Sequence, residues 1–334
     1  PLAIVGAGPA GLSAAIAAGQ LGVECVVIDE NPVPGGQLIK QTHMFFGSKE
    51  HHARVRGIDI GGILLKEIED LPVSVMTGTT VLGLYPDRVL ALLRNGSLHR
   101  LTADSVILAT GASENMLAFP NSDLPGVYGA GAVQTLMNVD GVAPGKRVLM
   151  IGAGNIGLIV SYQLLQAGVE VAAVVEGLPE FGGYHVHAAK IRRAGVPIMT
   201  SHTVLRALGT DRVEGAVISK IDADWRPIEG TEVELAVDTI CLAVGLTPNC
   251  ELASQLGCDE AYVAELGGRV AIHNASLETT VPRVHIAGDA SGIEEASTAM
   301  LEGRLAGIEA AAKLFPHQKM DELTRLRSEA EEGL

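Results

Sequence analysis

The sequence predicts an α/β chain of two Rossmann-like, three-layer dinucleotide-binding folds, and three features predict it. A short apolar strand, residues 2–5, turns at Gly6-Ala7-Gly8-Pro9-Ala10-Gly11 into a helix at 12–21. The same pattern returns as a strand at 147–151, the turn Gly152-Ala153-Gly154-Asn155-Ile156-Gly157 and a helix running to about Gln166. A late apolar strand, 283–287, ends in Gly288-Asp289. A repeated strand, glycine turn and helix in one chain has a physical meaning: two nucleotides to hold.

In the first copy Gly6 permits the tight turn, Gly8 lets the backbone approach a pyrophosphate, and Gly11 lets helix and strand pack closely. The helix N-terminus, with Pro9 and Ala10 in its opening turn, offers free N–H groups to the anion. A second strand at 24–28 ends at Asp29-Glu30, where an acid can hold a ribose hydroxyl. A lone glycine turn would be weak evidence. Here a strand precedes it, a helix follows it, and the acid stands at the expected distance.

Asn31 to Leu38, with Gly35, Gly36 and Gln37, is a turn-rich loop at the C-terminal end of a strand, where ligands bind in open α/β sheets. Lys40, Gln41, Thr42 and His43 follow it and are candidates for contact with the bound group; an ordinary polar loop is the equal alternative. His51 and His52 read as surface residues, since adjacent histidines cannot share one helix face. Apolar spacing at Ile60, Ile63, Leu64, Ile68 and Leu71 predicts a helix over 55–71, stopped by Pro72. Residues 73–109 read as β-structure: strands at 73–76 and 80–85, a hairpin of 88–93 and 97–102 around Asn95-Gly96, and 106–109 running into Thr110-Gly111.

After the second glycine turn, a strand at 169–175 ends at Glu176. A helix is expected over 184–193 and strands over 213–219 and 239–244, the last leading into Gly245. His185 and His187 are expected to be exposed. Phe181-Gly182-Gly183-Tyr184 is a weak candidate for bordering an adenine, and Trp225 sits in a polar turn with no catalytic part expected. A helix over 293–314 is expected to carry Glu294 and Glu295 in its first turn, where the dipole favours acids, and a charged helical tail follows.

The chain has 334 residues, enough for two domains, and 47% hydrophobic residues mark it as core-rich rather than disordered. A net charge of -15 argues against nucleic acid or an anionic membrane as partner, and 3% aromatics against base-stacking platforms. No uncharged apolar run approaches membrane-span length. Pro1 stands where a methionine would, almost inside a strand, so a leader or a longer N-terminal part is expected outside this sequence. Cys25, Cys241, Cys250 and Cys258 form no CxxC; none is placed for a zinc or iron–sulfur site, and a reducing, cytoplasmic compartment is expected.

Two nucleotide folds plus a late strand ending in Gly-Asp resemble the two-dinucleotide-binding flavoproteins, the pyridine nucleotide–disulfide oxidoreductases, over nearly the whole chain. The resemblance assigns the first turn and Asp29-Glu30 to FAD, together with Gly36, Gln37 and the motif 279–289, whose Asp289 would bond the ribityl chain or nearby phosphate. Glu295 and Ala296, at the start of the next helix, would face the flavin pyrimidine edge. Ala109-Thr110-Gly111 and Gly245 resemble the crossover turns. The implied architecture is thioredoxin-reductase-like: a discontinuous FAD domain of 1–113 and 247–316, an inserted NAD(P) domain of 114–246, and a tail of 317–334. Gly152, Gly154, Asn155, Ile156, Gly157 and Glu176 would then hold a nicotinamide nucleotide. An acid at 176 accepts from a ribose 2′-OH and repels a 2′-phosphate, and no Arg or Lys follows until Lys190, so NAD(H) is expected over NADP(H).

Disulfide-reducing members carry paired cysteines either before the second glycine turn or after the first acid. Here those stretches read 126–133 and 35–43, without cysteine. Together with 131–138 and 293–300, this resembles a cysteine-free branch that includes subunits of hydrogen cyanide synthase, opine and amino-acid dehydrogenases and sarcosine oxidase, and flavoprotein subunits of larger redox complexes. The resemblance implies hydride exchange between nicotinamide and flavin N5, with electrons passing to or from an iron–sulfur or metal-containing partner subunit. A flavoprotein subunit of an amine or amino-acid dehydrogenase is the alternative, and a non-catalytic FAD-binding scaffold the third reading. Hydride transfer needs positioning rather than an acid–base side chain, so no catalytic residue is assigned beyond the flavin-proximal candidates Gln37, Lys40, Thr42 and His43.

Overall fold

The computed structural model describes residues 1–45, 54–315 and 320–331; His51 and His52 lie outside the described residues. The chain divides into two compact units, Pro1–Ser113 with Leu246–Leu334, and Glu114–Gly245.

The first unit is built on five parallel strands in the order Val284–Ile286, Ser105–Leu108, Leu2–Val5, Cys25–Ile28 and Val73–Met76. Leu2–Val5 is central and apolar on both faces, as a strand covered on both sides must be. Leu2 and Ile4 enter the core beneath helices Pro9–Gln20, Gly57–Glu67 and Ala296–Leu314. Ala3 and Val5 enter the opposite core, closed by Leu84, Leu90 and Leu92 of the antiparallel sheet Thr79–Tyr85, Val89–Arg94 and Ser97–Thr102. Asn95 and Gly96 turn that sheet's hairpin with φ of 51° and 72°, the left-handed pair that a two-residue turn requires.

Helix Ala296–Leu314 lies against Pro9–Gln20 through small residues, since a Cβ on Gly303 or Gly307 would overlap the carbonyl oxygen of Ala10 or Ala14. This helix begins later than the sequence predicts. Glu295 is its extended N-cap and Glu294 precedes it, so neither acid lies in the first turn. The Glu294 N–H is instead given to Asp289. The C-terminal helix Met320–Glu331 returns to the same unit: Arg327 pairs with the buried Glu309, and Arg304 with Glu329 at 3.2 Å.

The second unit repeats the plan. Its parallel strands run Ile198–Met199, Glu170–Val175, Arg147–Ile151, Thr239–Leu242 and Val127–Gly129. In each unit the strand that follows the glycine turn and its helix pairs with the strand before the turn, and an antiparallel sheet follows the next parallel strand. In the second unit that sheet is His202–Leu208, Gly215–Lys220 and Val233–Leu235. Helices Ala130–Asn138, Asn155–Gln166 and His185–Arg193 cover the other face.

Helix His185–Arg193 corrects one expectation. His185 is exposed, but His187 is only 5% exposed. Position 187 shares a face with Ile191, one turn on, and that face packs into the core. Burial, helped by the Lys190 charge, holds the His187 pKa below its usual value. Among the described residues, no helix is long and apolar enough to cross a membrane.

Candidate functional site

In the first unit, several predicted stretches meet at the N-terminus of Pro9–Gln20. Gly6 has φ of 107°, and a Cβ there would overlap the carbonyl of Ala109, so the turn lies directly on the Ala109-Thr110-Gly111 segment. Gly11 could carry no Cβ without meeting the Gly6 carbonyl. Gly35 donates its N–H to Ala7 O at 2.8 Å, bringing Gly36 over Gly8. A Cβ on Gly36 would stand 2.7 Å from Gly8 Cα. Around the Cβ position of Gly8 itself, Gly36 Cα, at 3.8 Å, is the only neighbour within 4 Å among the described residues. Gly288 stands beside Ala10, where an added Cβ would lie 2.8 Å from the Ala10 Cβ. The helix start carries no side-chain cap, so its N–H groups face this bare-backbone cradle. Such a surface fits a pyrophosphate.

Asp29 is buried, and both its oxygens hold backbone. Oδ2 accepts the Ala7 N–H at 2.7 Å, and Oδ1 accepts the Asn31 N–H at 2.8 Å and its Nδ2 at 3.0 Å. Glu30 beside it is exposed. Asp289 accepts the Glu294 N–H, while burial raises its pKa.

Two residues that the sequence did not single out hold these turns. Glu302 accepts the Gly288 N–H and the Ser291 hydroxyl, each at 2.7 Å, and burial raises its pKa. Asn249 accepts the Thr110 hydroxyl on its backbone carbonyl at 2.6 Å and donates Nδ2 to Thr110 O at 3.1 Å and N–H to Gly111 O at 2.9 Å. Neither sits in a recognisable motif; only the placement of 302 against 288 and 291 in space reveals the first.

The flavin-proximal candidates lie on and after the 3-10 turn Gly36–Lys40. Leu38 anchors it in the core, Gln37 is exposed, and Lys40, Thr42 and His43 are half-buried. The His43 ring stacks on Phe45, with centroids 5.7 Å apart. The Gln41 carbonyl accepts the Ile58 N–H at 3.0 Å, which ties the segment to the start of Gly57–Glu67. The Gln41 Oε1 is buried with no hydrogen-bond partner among the described residues.

The second unit builds the same device. Gly152 turns with φ of 103°, and its N–H meets Val175 O at 2.7 Å. A Cβ on Gly157 would overlap the Gly152 carbonyl, while among the described residues nothing lies within 4 Å of the Cβ position of Gly154. Glu176 accepts the Ala153 N–H on Oε2 at 2.8 Å and the Leu178 N–H on Oε1 at 3.0 Å. Gly183 donates to Ala153 O at 3.0 Å, the counterpart of Gly35 on Ala7. Asn155 Oδ1 accepts the Tyr184 N–H at 2.8 Å, and Ile156 beside it is exposed. Gly245, with φ of 109°, accepts the Asn115 N–H at 3.0 Å.

All four cysteines are buried free thiols. Burial pushes Cys25 up to about 12 and raises the other three. Such thiols neither attack nor exchange readily. Among the described residues, no group of three or more His, Cys, Asp or Glu side chains could hold a metal ion.

Residues 1–303 match the family model described as pyridine nucleotide-disulphide oxidoreductase. The sarcosine oxidase alpha subunit of Rhizobium meliloti is 30% identical over 279 residues, 79% of this chain and 26% of that protein. The HcnB subunit of hydrogen cyanide synthase from Pseudomonas aeruginosa is 27% identical, covering 91% of this chain and 69% of the relative. An opine oxidase subunit of Rhizobium meliloti is 29% identical, covering 93% and 70%. The chain therefore spans about a quarter of the first of these relatives. The T. acidophilum thioredoxin reductase structure superposes with a TM-score of 0.77 at 20% identity, over 94% of this chain and 98% of that one, and shows the shared fold.

Proposed function

The chain belongs to the pyridine nucleotide-disulphide oxidoreductase family, and from that premise we propose that it is the NADH-linked flavoprotein subunit of a larger redox complex. It is a flavin- and nicotinamide-dependent oxidoreductase without a redox-active disulfide, and the three relatives above are each named as a subunit. In this reading, 1–113 with 247–316 is the FAD domain and 114–246 the NAD domain.

The observation that carries the proposal is the pair of intact glycine cradles, the second closed by Glu176. Gly6, Gly8, Gly11, Gly36 and the first helix N-terminus would hold the FAD pyrophosphate; Asp29 would serve its adenosine side and the Gly288-Asp289 turn its ribityl side. Bound FAD would supply a hydride site at N5 and single-electron exchange. The chain's own residues position, through backbone N–H groups, and exclude water; Gln37, Lys40, Thr42 and His43 would border the ring. Gly154 and the helix at Asn155 would receive the nicotinamide dinucleotide, and Glu176 would favour NADH over NADPH. With no thiol placed to take electrons, they would leave for an iron–sulfur or metal-containing partner.

Anaerobic mixing tests this. NADH should bleach the flavin absorbance, with NADPH slower. The names of the sarcosine and opine oxidase subunits favour a second reading, a subunit of an amine or amino-acid dehydrogenase. Bleaching by such an amine, with none by either nicotinamide nucleotide, would sink the first reading and support the second.

A further inference from the structure

We propose that Trp225 is the aromatic wall on which the adenine stacks at the second nucleotide cradle, an assignment that rests on the reading of that cradle as a dinucleotide site. Trp225 is the chain's single tryptophan. It lies far from the glycine turn in sequence, in the loop that follows strand Gly215–Lys220. In space its indole rests on Gly177, the residue after Glu176. A Cβ on Gly177 would overlap the benzene edge of the ring, standing 2.6 Å from Cη2. Only glycine at 177 lets the indole come this close to the end of strand Glu170–Val175.

Three observations point to a ligand. First, Trp225 is 59% exposed, although it is the largest apolar side chain in the molecule. The contact with Gly177 uses one edge and leaves ring surface open. Leu178, next in the chain after Gly177, is also exposed, at 50%. Second, the loop holds the indole in place at a conformational cost. Trp225 has φ of 63°, a left-handed backbone that bulky residues rarely adopt. Asp222 enforces it: Oδ1 accepts the N–H groups of Asp224 and Arg226, both at 2.9 Å, and its carbonyl accepts that of Trp225 at 3.1 Å. Strain of this kind persists where surrounding structure over-determines it, and clusters at ligand clamps. Third, Phe181, the aromatic nearest to Glu176 in sequence, is occupied. Phe181 meets His185 edge-on at 5.2 Å and carries the Arg192 guanidinium over its ring at 5.2 Å. An adenosine whose ribose reaches Glu176 has an apolar, pre-placed ring beside it at Trp225, and base–aromatic stacking needs no other recognition.

The single tryptophan makes its own reporter. In the flavin-loaded protein, NAD+ and ADP-ribose should change Trp225 emission saturably, and nicotinamide mononucleotide, which lacks the adenosine, should not. Trp225→Ala should raise the Kd for both adenosine-bearing ligands roughly ten-fold, with Trp225→Phe restoring most of the affinity. Gly177→Ala, which keeps the tryptophan but pushes it off its seat, should weaken binding in the same direction. Saturable NAD+ binding by calorimetry, with unaltered emission in the unaltered protein and an unaltered Kd in Trp225→Ala and Gly177→Ala, would overturn the assignment and leave the dinucleotide reading standing. No calorimetric binding of NAD+ to the unaltered protein would overturn the dinucleotide reading, and this assignment with it.

Discussion

Glu176 Oε2 accepts the backbone N–H of Ala153 at 2.8 Å. The first unit holds the same bond between Asp29 and Ala7, at 2.7 Å. In both folds the acid that ends the second strand fixes the middle of the glycine turn, and each also accepts the N–H two residues further on. A carboxylate has about four acceptor sites, so a ribose hydroxyl can still be received. Glu176→Ala should therefore do two things at once. Loss of a charged acceptor should lower kcat/KM for NADH at least ten-fold. Loss of the negative charge should narrow the preference over NADPH. Glu176→Gln keeps an acceptor for Ala153 and should narrow the preference with a smaller loss of rate. Steady-state kinetics with both nucleotides check this; an unchanged ratio in both variants removes the specificity argument.

Gly36→Ala should abolish flavin retention. Gly36 has φ of 54°, and its Cβ would stand 2.7 Å from Gly8 Cα, where backbone cannot yield without opening the cradle. Gly62→Ala is the control. On helix Gly57–Glu67 its Cβ meets nothing within 4 Å among the described residues, so it should stabilise by about 0.5–1 kcal/mol and purify yellow. The ratio of flavin to protein absorbance distinguishes the two. A fully loaded Gly36→Ala protein would move the pyrophosphate site elsewhere.

Much of this was legible in the sequence because the signals are local. Strand, glycine turn, helix and acid fall within thirty residues in each copy, and Asn95-Gly96 marks a hairpin by itself. What was missed depends on distant partners. Val127–Gly129 and Ile198–Met199 are too short to show periodicity, and are strands only because longer neighbours pair with them. His187 reads as a polar residue in a basic helix; only the direction of that helix's buried face decides its exposure. The seating of Gly183 on Ala153, the grip of Glu302 on Gly288, and the rest of Trp225 on Gly177 join residues that no spacing rule connects.

Glu302 is a positioning residue for the Gly288-Asp289 turn. Replacing it with alanine leaves the buried Gly288 N–H without its acceptor, while the Ser291 hydroxyl keeps the Gly288 carbonyl at 2.7 Å. An unsatisfied group of that kind costs about 1–3 kcal/mol. Glu302→Ala should therefore lower the melting temperature and raise the flavin Kd roughly ten-fold. Glu302→Gln, whose amide oxygen can accept both bonds, should stay close to the unaltered protein. Flavin release followed by fluorescence gives the Kd. Equal losses in both variants would assign Glu302 a role that depends on its charge rather than on holding the turn.

His285 should make stability depend on pH. It is fully buried on strand Val284–Ile286. Burial lowers its pKa from 6.5 to about 4; the Lys313 charge also lowers it, and Glu278, which pairs with Lys313 at 3.1 Å, offsets part of the shift. The sign follows from proton uptake. Between these two values the unfolded chain binds a proton that the folded chain refuses, so folding stability falls as pH drops from 6.5 towards 4. The full loss is roughly 3 kcal/mol. His285→Val suits a buried strand position and removes the titrating ring, so its stability should fall less steeply across the same interval. Denaturant unfolding of both proteins at several pH values measures the difference. Parallel curves would mean that other groups carry the acid sensitivity of this fold.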